Sequence, residues 1–130
     1  MTSPENEVYT RLKTAILAAY PTVDVASLYV HSPAKLPHVS IELSDTSMYN
    51  LSSADESMDS LMFTINVYSN KEPGKQVECR GILKVIDAEM YQMNFTRLSA
   101  TPVPNMQDAT IYRLTARYRA ATDGNYFYRR

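Results

Sequence analysis

The residues that could do chemistry in this sequence are few and lie far apart. His31 and His38 sit around a proline-rich connection; they could in principle share a metal, but no carboxylate or cysteine pattern accompanies them. Ordinary surface histidines are the favoured interpretation. The single cysteine, Cys79, falls on the apolar stripe of a predicted helix, and no histidine or aspartate in the sequence marks a partner for it. We therefore expect a small core residue and not a nucleophile.

An acidic segment is the only other candidate for a metal site. Asp55, Glu56 and Asp59 could bind a cation, yet they lack the ligand spacing and the turn glycine of a calcium loop, so a solvated acidic loop is favoured. With 3 glycines the chain has no phosphate loop, no dinucleotide-binding fingerprint and no nucleophile elbow. The sequence therefore predicts a protein that is not an enzyme and that needs no cofactor or metal.

Three arginines near the C-terminus form the sharpest feature of the sequence. Residues 111–121 alternate apolar and polar side chains with the period of a half-buried strand. The apolar positions are Tyr112, Leu114, Ala116 and Tyr118, and the opposite face carries Arg113, Thr115, Arg117 and Arg119. The arginines fit either a solvated strand face that discourages edge pairing, or a charged belt that meets acidic loops of a neighbouring subunit or faces passing DNA.

The elements that must position these residues follow from apolar periodicity. The pattern predicts helices over 4–19 and 75–93 and strands over 38–43, 61–68, 95–100 and 111–121, with a short strand at 28–30 and a fold-back at 125–129. Residues 44–59 lack periodicity and are interpreted as a loop or an extended excursion between two strands. Prolines mark 101–108 as an exposed loop.

This order of elements predicts an α+β fold. Two amphipathic helices packed on one face of a mainly antiparallel sheet of four to five strands would bury every apolar stripe. Residues 1–130 would form a single domain, with 123–130 as a flexible or partner-binding arm. The opposite sheet face would be exposed in a monomer, and it is too polar for a second core but suited to a subunit contact or a channel lining. Its members are Thr64, Asn66, Tyr68, Arg113, Thr115 and Arg117.

Composition and charge exclude several classes of protein. The 130 residues include 13 basic and 14 acidic side chains, and the net charge of -1 argues against a dedicated nucleic-acid binder. The N-terminus has no secretory pattern, and no apolar run approaches the roughly 18 residues that a membrane helix needs. We expect a soluble protein made inside the cell.

Three segments resemble a known family. FTINVYSNK (63–71), DAEMYQMNFTR (87–97) and LSATPVPNMQDATIYRLTARYRA (98–120) are similar to segments of the tail terminator, or tail completion, proteins of long-tailed bacteriophages and prophages. The resemblance also takes in the first helix and the strand at 37–43, and it is weakest over 44–59. It therefore extends over most of the chain.

The resemblance implies a virion structural protein of the tail-neck region that assembles in the host cytoplasm. Such proteins form a hexameric ring on the last ring of tail-tube protein, stop tube polymerisation and join the tail to head-completion or connector proteins. DNA passes through the ring without sequence-specific binding, a sheath is a further partner in contractile tails, and no membrane is involved. We expect Arg113, Arg117 and Arg119 at a subunit interface or in the lumen. The loop residues expected to contact partners are Asp55, Asp59, Pro102, Pro104 and Asn105.

Three alternatives stay open at this point. One is a head-closure or adaptor protein of the neck, which has a similar size but a different place in the virion. Another is a small dimeric ligand-binding α+β domain, which would need a pocket with converging titratable groups. A third is a DNA-binding accessory protein, which would bind free duplex in a strongly salt-dependent way.

Overall fold

Two helices and six strands make up the described part of the chain. The structure is a computed structural model that describes residues 4–27, 35–50, 57–104, 110–123 and 126–129. The elements, in chain order, are α1 (Pro4–Ala19), β1 (Asp24–Ala26), β2 (His38–Asn50), β3 (Ser57–Ser69), α2 (Lys75–Gln92), β4 (Thr96–Val103), β5 (Tyr112–Thr122) and β6 (Phe127–Tyr128). The predicted α+β class is therefore confirmed.

The six strands form one mixed sheet. Its order is β1-β2-β3-β5-β4, with β6 beside β5. β1 runs parallel to β2, and every other pair is antiparallel. The expectation of a four- to five-stranded sheet therefore misses a strand. β1 has only three residues, too few for a periodic signal in the sequence.

One face of the sheet carries the core. The register places Val67 beside Val39 and Leu114, and Ile65 beside Ile41 and Ala116. Directly paired residues project from the same face, so these side chains form one continuous apolar surface. Phe63 and Tyr118 extend it in the next pair of β3 and β5. All of them are buried, and we call this surface the core face.

The apolar stripes of both helices pack into this core. The buried helix residues are Val8, Leu12 and Ile16 of α1 and Cys79, Ile82, Leu83, Ile86 and Met90 of α2, and they share one cluster with the core face. Gly81 of α2 lies against the Tyr20 hydroxyl just after α1, and a Cβ at this position would force the end of the Tyr20 side chain to shift. The helix-propensity cost of this glycine therefore has a packing reason.

The predicted loop over 44–59 is mostly strand. β2 continues to Asn50 and β3 begins at Ser57, so the two form a long hairpin with paired residues from His38↔Tyr68 to Asn50↔Ser57. A bulge at Ser44 shifts the register, and the Ser44 hydroxyl donates to the Met62 carbonyl oxygen at 3.1 Å. The extra residue interrupts the alternation of side chains, which is why periodicity fails to detect the strand there.

The proline-containing segment differs from its prediction as well. β4 runs to Val103, so Pro102 is a strand residue and Pro104 follows the strand, where a loop over 101–108 was expected. Proline is compatible with this position because β4 lies at the edge of the sheet. The fold-back near the C-terminus is confirmed as β6, which pairs with Ala121 and Thr122. The strand expected at 28–30 lies outside the described residues.

Candidate functional site: the polar face of the sheet

The polar face of the sheet, opposite the core face, is built from four cross-strand rows. We call the first two the lower rows: His38-Tyr68-Arg113-Val103 and Ser40-Asn66-Thr115-Thr101. The other two are the upper rows: Glu42-Thr64-Arg117-Ser99 and Asp45-Met62-Arg119-Thr96. Each row crosses β2, β3, β5 and β4 in that order, so the rows bring together residues that are distant in sequence.

Most side chains of the lower rows are buried, and three of them are joined by hydrogen bonds. Asn66, only 2% exposed, accepts a hydrogen bond from Arg113 Nε at 3.0 Å and another from Thr115 Oγ1 at 2.7 Å. The Arg113 guanidinium also lies 5.8 Å from the centroid of the Tyr68 ring. Arg113 is therefore part of a packed polar layer, in contrast to the exposed face that the sequence predicted for Asn66, Tyr68 and Thr115.

His38 corrects the expectation of an ordinary surface histidine. Its side chain is 2% exposed, and its Nδ1 lies 3.1 Å from Oδ2 of Asp24, which is its partner in the β1–β2 register. The Tyr68 ring is 5.9 Å away. His38 Nε2 and Ser40 Oγ are buried without a hydrogen-bond partner in the described part of the chain. His31 lies outside the described residues.

The upper rows carry four charged side chains. Arg117 and Asp45 are exposed, Glu42 and Arg119 are half-buried, and none of the four takes part in an ion pair among the described residues. Each upper row has one acid on β2 and one arginine on β5, two strands or about 10 Å apart. In this structure, the charged groups of the acid and the arginine in each upper row do not come within the 4 Å of an ion pair.

Arg119 has a further unmet requirement. Its Nε is buried but has no hydrogen-bond partner within the described ranges. A buried guanidinium nitrogen without a partner costs on the order of 1–3 kcal/mol. An acceptor supplied by another molecule would remove that cost. Of the three predicted arginines, Arg113 is thus held by its own chain, whereas Arg117 and Arg119 are available for a partner.

The charge pattern of the polar face continues in the sequence. Residues 36–70 contain five acidic residues and no lysine or arginine, whereas residues 109–130 contain five arginines and one acidic residue. The near-neutral net charge conceals this separation, which a count by segment would have found. The acidic hairpin and the basic strand are neighbours in the sheet, so each molecule presents both signs on one face.

The other residues predicted to contact partners do not converge on one site. Asp59 pairs with Thr122 near one end of β5, and Pro102 pairs with Leu114 near the other. Eight residues of strand separate those positions, which is roughly 26 Å. Pro104 follows β4, and Asp55 and Asn105 lie outside the described residues. The upper rows are therefore the best-defined candidate surface.

Two groups buried between α2 and the sheet have strongly raised pKa values. Burial, followed by the charge of Glu78, raises the pKa of the Cys79 thiol to about 12, so the nucleophilic thiolate is not formed at neutral pH. Burial and a short hydrogen bond to Asp87 raise the pKa of Tyr118 well above its usual range. Arg97 Nη1 lies 2.7 Å from the same carboxylate. These groups stabilise the packing of α2 on the sheet.

Within the described residues, no three histidine, cysteine, aspartate or glutamate side chains are grouped closely enough to hold a metal ion. No described helix has the length and apolar character of a membrane span.

Comparison with known proteins gives a likeness of fold. No family model matches the chain, and no curated protein matches it. The chain is similar to a protein in the solved structure of the virion of a native gene transfer agent particle, with a TM-score of 0.57 and 16% identity. The match covers 92% of this chain and 93% of the other. The shared fold extends over almost the full length of both proteins.

Proposed function

We propose that this protein is a virion structural protein without enzymatic activity, and that it forms a ring at the end of a phage tail tube. The observation that carries the proposal is the polar face, whose upper rows hold acids on β2 and arginines on β5 that form no ion pair among the described residues. The fold shared with a chain of a gene transfer agent virion supports it. So does the resemblance of 63–71 and 87–120 to tail terminator proteins.

The separation of charge suits contacts between identical copies. A head-to-tail contact joins two different surfaces of the same chain, and it closes into a ring when the rotation between copies permits. The β2 side of the polar face is acidic and the β5 side is basic, so one copy can offer Glu42 and Asp45 where the next offers Arg117 and Arg119. Complementary charge of this kind fixes the register of an interface.

The same face suits a channel that DNA passes through. Each upper row contains one acid and one arginine, so the surface has no large excess of positive charge. Tight nonspecific binding of duplex DNA depends on many uncompensated lysine and arginine contacts to phosphate. A balanced face would let the polyanion move past without being held. In this proposal the ring contacts tail-tube protein on one side and head-completion or connector protein on the other.

The test is to measure the mass of the purified protein in solution, with and without tail tubes, and to image the tube ends by negative-stain electron microscopy. We expect a species with the mass of six chains, or a cap at one end of the tubes. Replacing both Arg117 and Arg119 by Glu should abolish capping, because two acids would then face two acids. Arg113 is left unchanged since Asn66 holds it within its own fold.

The matched control reverses two charges elsewhere. Arg80 and Lys84 are exposed on α2, and replacing both by Glu changes the net charge by the same amount as the test variant. Circular dichroism should show that both variants fold. Capping by the arginine variant at the level of the control would remove Arg117 and Arg119 from the interface. A wild-type protein that ignores tubes and remains a dimer would contradict the proposed function.

A further inference from the structure

The two edges of the sheet are open over the same part of their length. β1 pairs only with residues 38–40 of β2, and in the described part of the chain no strand covers β2 beyond Ser40. At the other edge, β5 is the only described strand that pairs with β4. β6 continues the line of β4, because Tyr128 pairs with Ala121 and Thr96 pairs with Arg119. An uncovered strand edge is a template for pairing with another chain.

The open stretches lie at the same level of the sheet. Across the strands, Glu42 corresponds to Ser99 and Asp45 to Thr96, both in the upper rows. Ser47 corresponds to Tyr128 of β6, through Ser60 and Ala121. Residues 41–48 of β2 therefore span the same levels as residues 96–100 of β4 together with β6. We call these stretches the β2 edge and the β4–β6 edge.

At the level of the lower rows, neither edge of the sheet is open to pairing with another strand. On the β2 side, β1 occupies residues 38–40. On the β4 side, Pro102 lies at the level of Leu114, Val67 and Val39, and proline has no N–H to donate to another strand. An edge contact is thus possible only through the upper half, where both stretches are free.

The β4–β6 edge has the composition of an interface. Of the five large apolar side chains that are exposed in the described residues, four lie on this edge or beside it: Tyr91 (69%), Leu98 (42%), Tyr126 (69%) and Tyr128 (39%). Tyrosine and arginine are enriched in protein interfaces because they combine large apolar area with polar groups. Such an exposed cluster is unusual for a surface that only meets water.

The short β6 strand is held in place before any partner binds. Arg129 donates to the carbonyl oxygens of Phe95 and Tyr91, each at 3.1 Å, and its guanidinium lies 4.5 Å from the Tyr91 ring centroid. Asn94 Nδ2 donates to the Phe127 carbonyl oxygen at 3.0 Å. These contacts fix β6 as an extension of β4. A preorganised edge loses less conformational entropy on binding.

We infer that the β4–β6 edge of one copy pairs with the β2 edge of the next copy, which continues the sheet from subunit to subunit. This inference rests on the ring of the proposed function and names its contact. β4 runs opposite to β2, because each step across β3 and β5 reverses direction, so the new pair is antiparallel. In this arrangement the neighbour's Glu42 and Asp45 lie two strands from Arg117 and Arg119, on the β4 side. The chain's own Glu42 and Asp45 lie two strands away on the β3 side, so each arginine has an acid on both sides.

A disulfide between copies tests this contact. In one chain, Glu42 and Ser99 are three strands or about 14 Å apart, beyond the reach of a disulfide. The Glu42→Cys/Ser99→Cys variant can therefore form this bond only with a second copy. The native Cys79 is buried, so it does not compete. The control is Val77→Cys/Ser99→Cys, because Val77 is 73% exposed on α2 and away from both edges.

We expect oxidation of the concentrated test variant to shift it from monomer to a ladder of linked multimers on a non-reducing gel, while the control stays mainly monomeric. In addition, Leu98→Lys places a charge on the edge and should abolish association in solution, whereas Val77→Lys should not. If the protein associates into multimers but the Glu42→Cys/Ser99→Cys variant does not cross-link, the edge contact is overturned and the proposed function stays intact. A protein that neither associates nor cross-links would also overturn the edge contact, and imaging of tube ends would still decide the proposed function independently.

Discussion

The core face and the polar face are built from alternate residues of the same strands, yet their side chains find partners in different ways. On the core face, both helices cover the strands and the apolar side chains are buried within one cluster. On the polar face, the lower rows bond to one another, but the upper rows leave two acids and two arginines without ion pairs in the described part of the chain. The two faces therefore differ in how far the described part of the chain supplies partners for their side chains.

The largest difference in stability should appear between substitutions at two neighbouring residues of β3, one on each face of the sheet. Phe63 is fully buried on the core face, with its ring centroid 5.6 Å from that of Phe95, whereas Thr64 lies on the polar face and donates to Ser44 Oγ at 2.9 Å. Phe63→Ala should lower the free energy of unfolding by about 3–5 kcal/mol through the cavity it leaves. Thr64→Ala should cost about 0.5–1 kcal/mol. Urea denaturation measures both, and equal losses would contradict the division between faces.

A smaller effect should separate the lower rows from the upper rows. Asn66→Leu removes the acceptor of Arg113 Nε and Thr115 Oγ1. We expect the free energy of unfolding to fall by about 1–3 kcal/mol, because one half-buried and one buried donor lose this acceptor. Asn66→Asp keeps an acceptor oxygen and serves as the control. Urea unfolding measures both variants: a lower midpoint with an unchanged dependence on urea concentration means a lower free energy of unfolding. If Asn66→Leu were neutral, the lower rows would not contribute polar stabilisation.

The smallest effect concerns a polar contact inside the core face. Tyr118 donates to Asp87, and burial together with this bond raises its pKa. A raised pKa in the folded state adds stability below the ordinary tyrosine value of about 10, and this contribution disappears as the pH rises further towards the folded value. Tyr118→Phe should therefore be less stable than wild type by about 1 kcal/mol at pH 7.

The same variant should lose stability less steeply at alkaline pH. Above pH ~10 the wild type loses up to about 1.4 kcal/mol per pH unit through this tyrosine, and the variant does not. The difference in free energy of unfolding between wild type and Tyr118→Phe should therefore shrink above pH ~10. Urea unfolding of both at neutral and alkaline pH makes the measurement, and the other tyrosines cancel in the comparison. A constant difference would mean that the Tyr118 hydroxyl titrates normally in the folded chain.

Much of the fold could be predicted because its elements bury long periodic stripes. The helix over 4–19 agrees with α1, the one over 75–93 ends one residue beyond α2, and β5 alternates as expected at Leu114, Ala116 and Tyr118. These segments are long enough for the period of 3.6 or 2 to stand out. Three features were missed because they lack this periodic signal: the short strand β1, the extra residue in the bulge at Ser44, and the proline at position 102 of β4.

The candidate surface could be predicted only in part. The sequence identified Arg113, Arg117 and Arg119 as a set, but it treated them as equivalent. Asn66, 47 residues from Arg113, divides the set because it accepts a hydrogen bond from Arg113. Arg117 and Arg119 have no ion pair in the described ranges. The partners of Arg113 come from β3, so their identity depends on strand register.

By itself the sequence determined the α+β class, the two amphipathic helices and the polar character of one strand face, because local periodicity records which side of each element is buried. Only the tertiary structure decided which residues share a row, where His38 meets Asp24 and which strand edges stay open. Those outcomes depend on pairings between segments that are distant along the chain. The parallel β1, the bulged β2 and the register of β5 on β3 set them together, and no single segment encodes them.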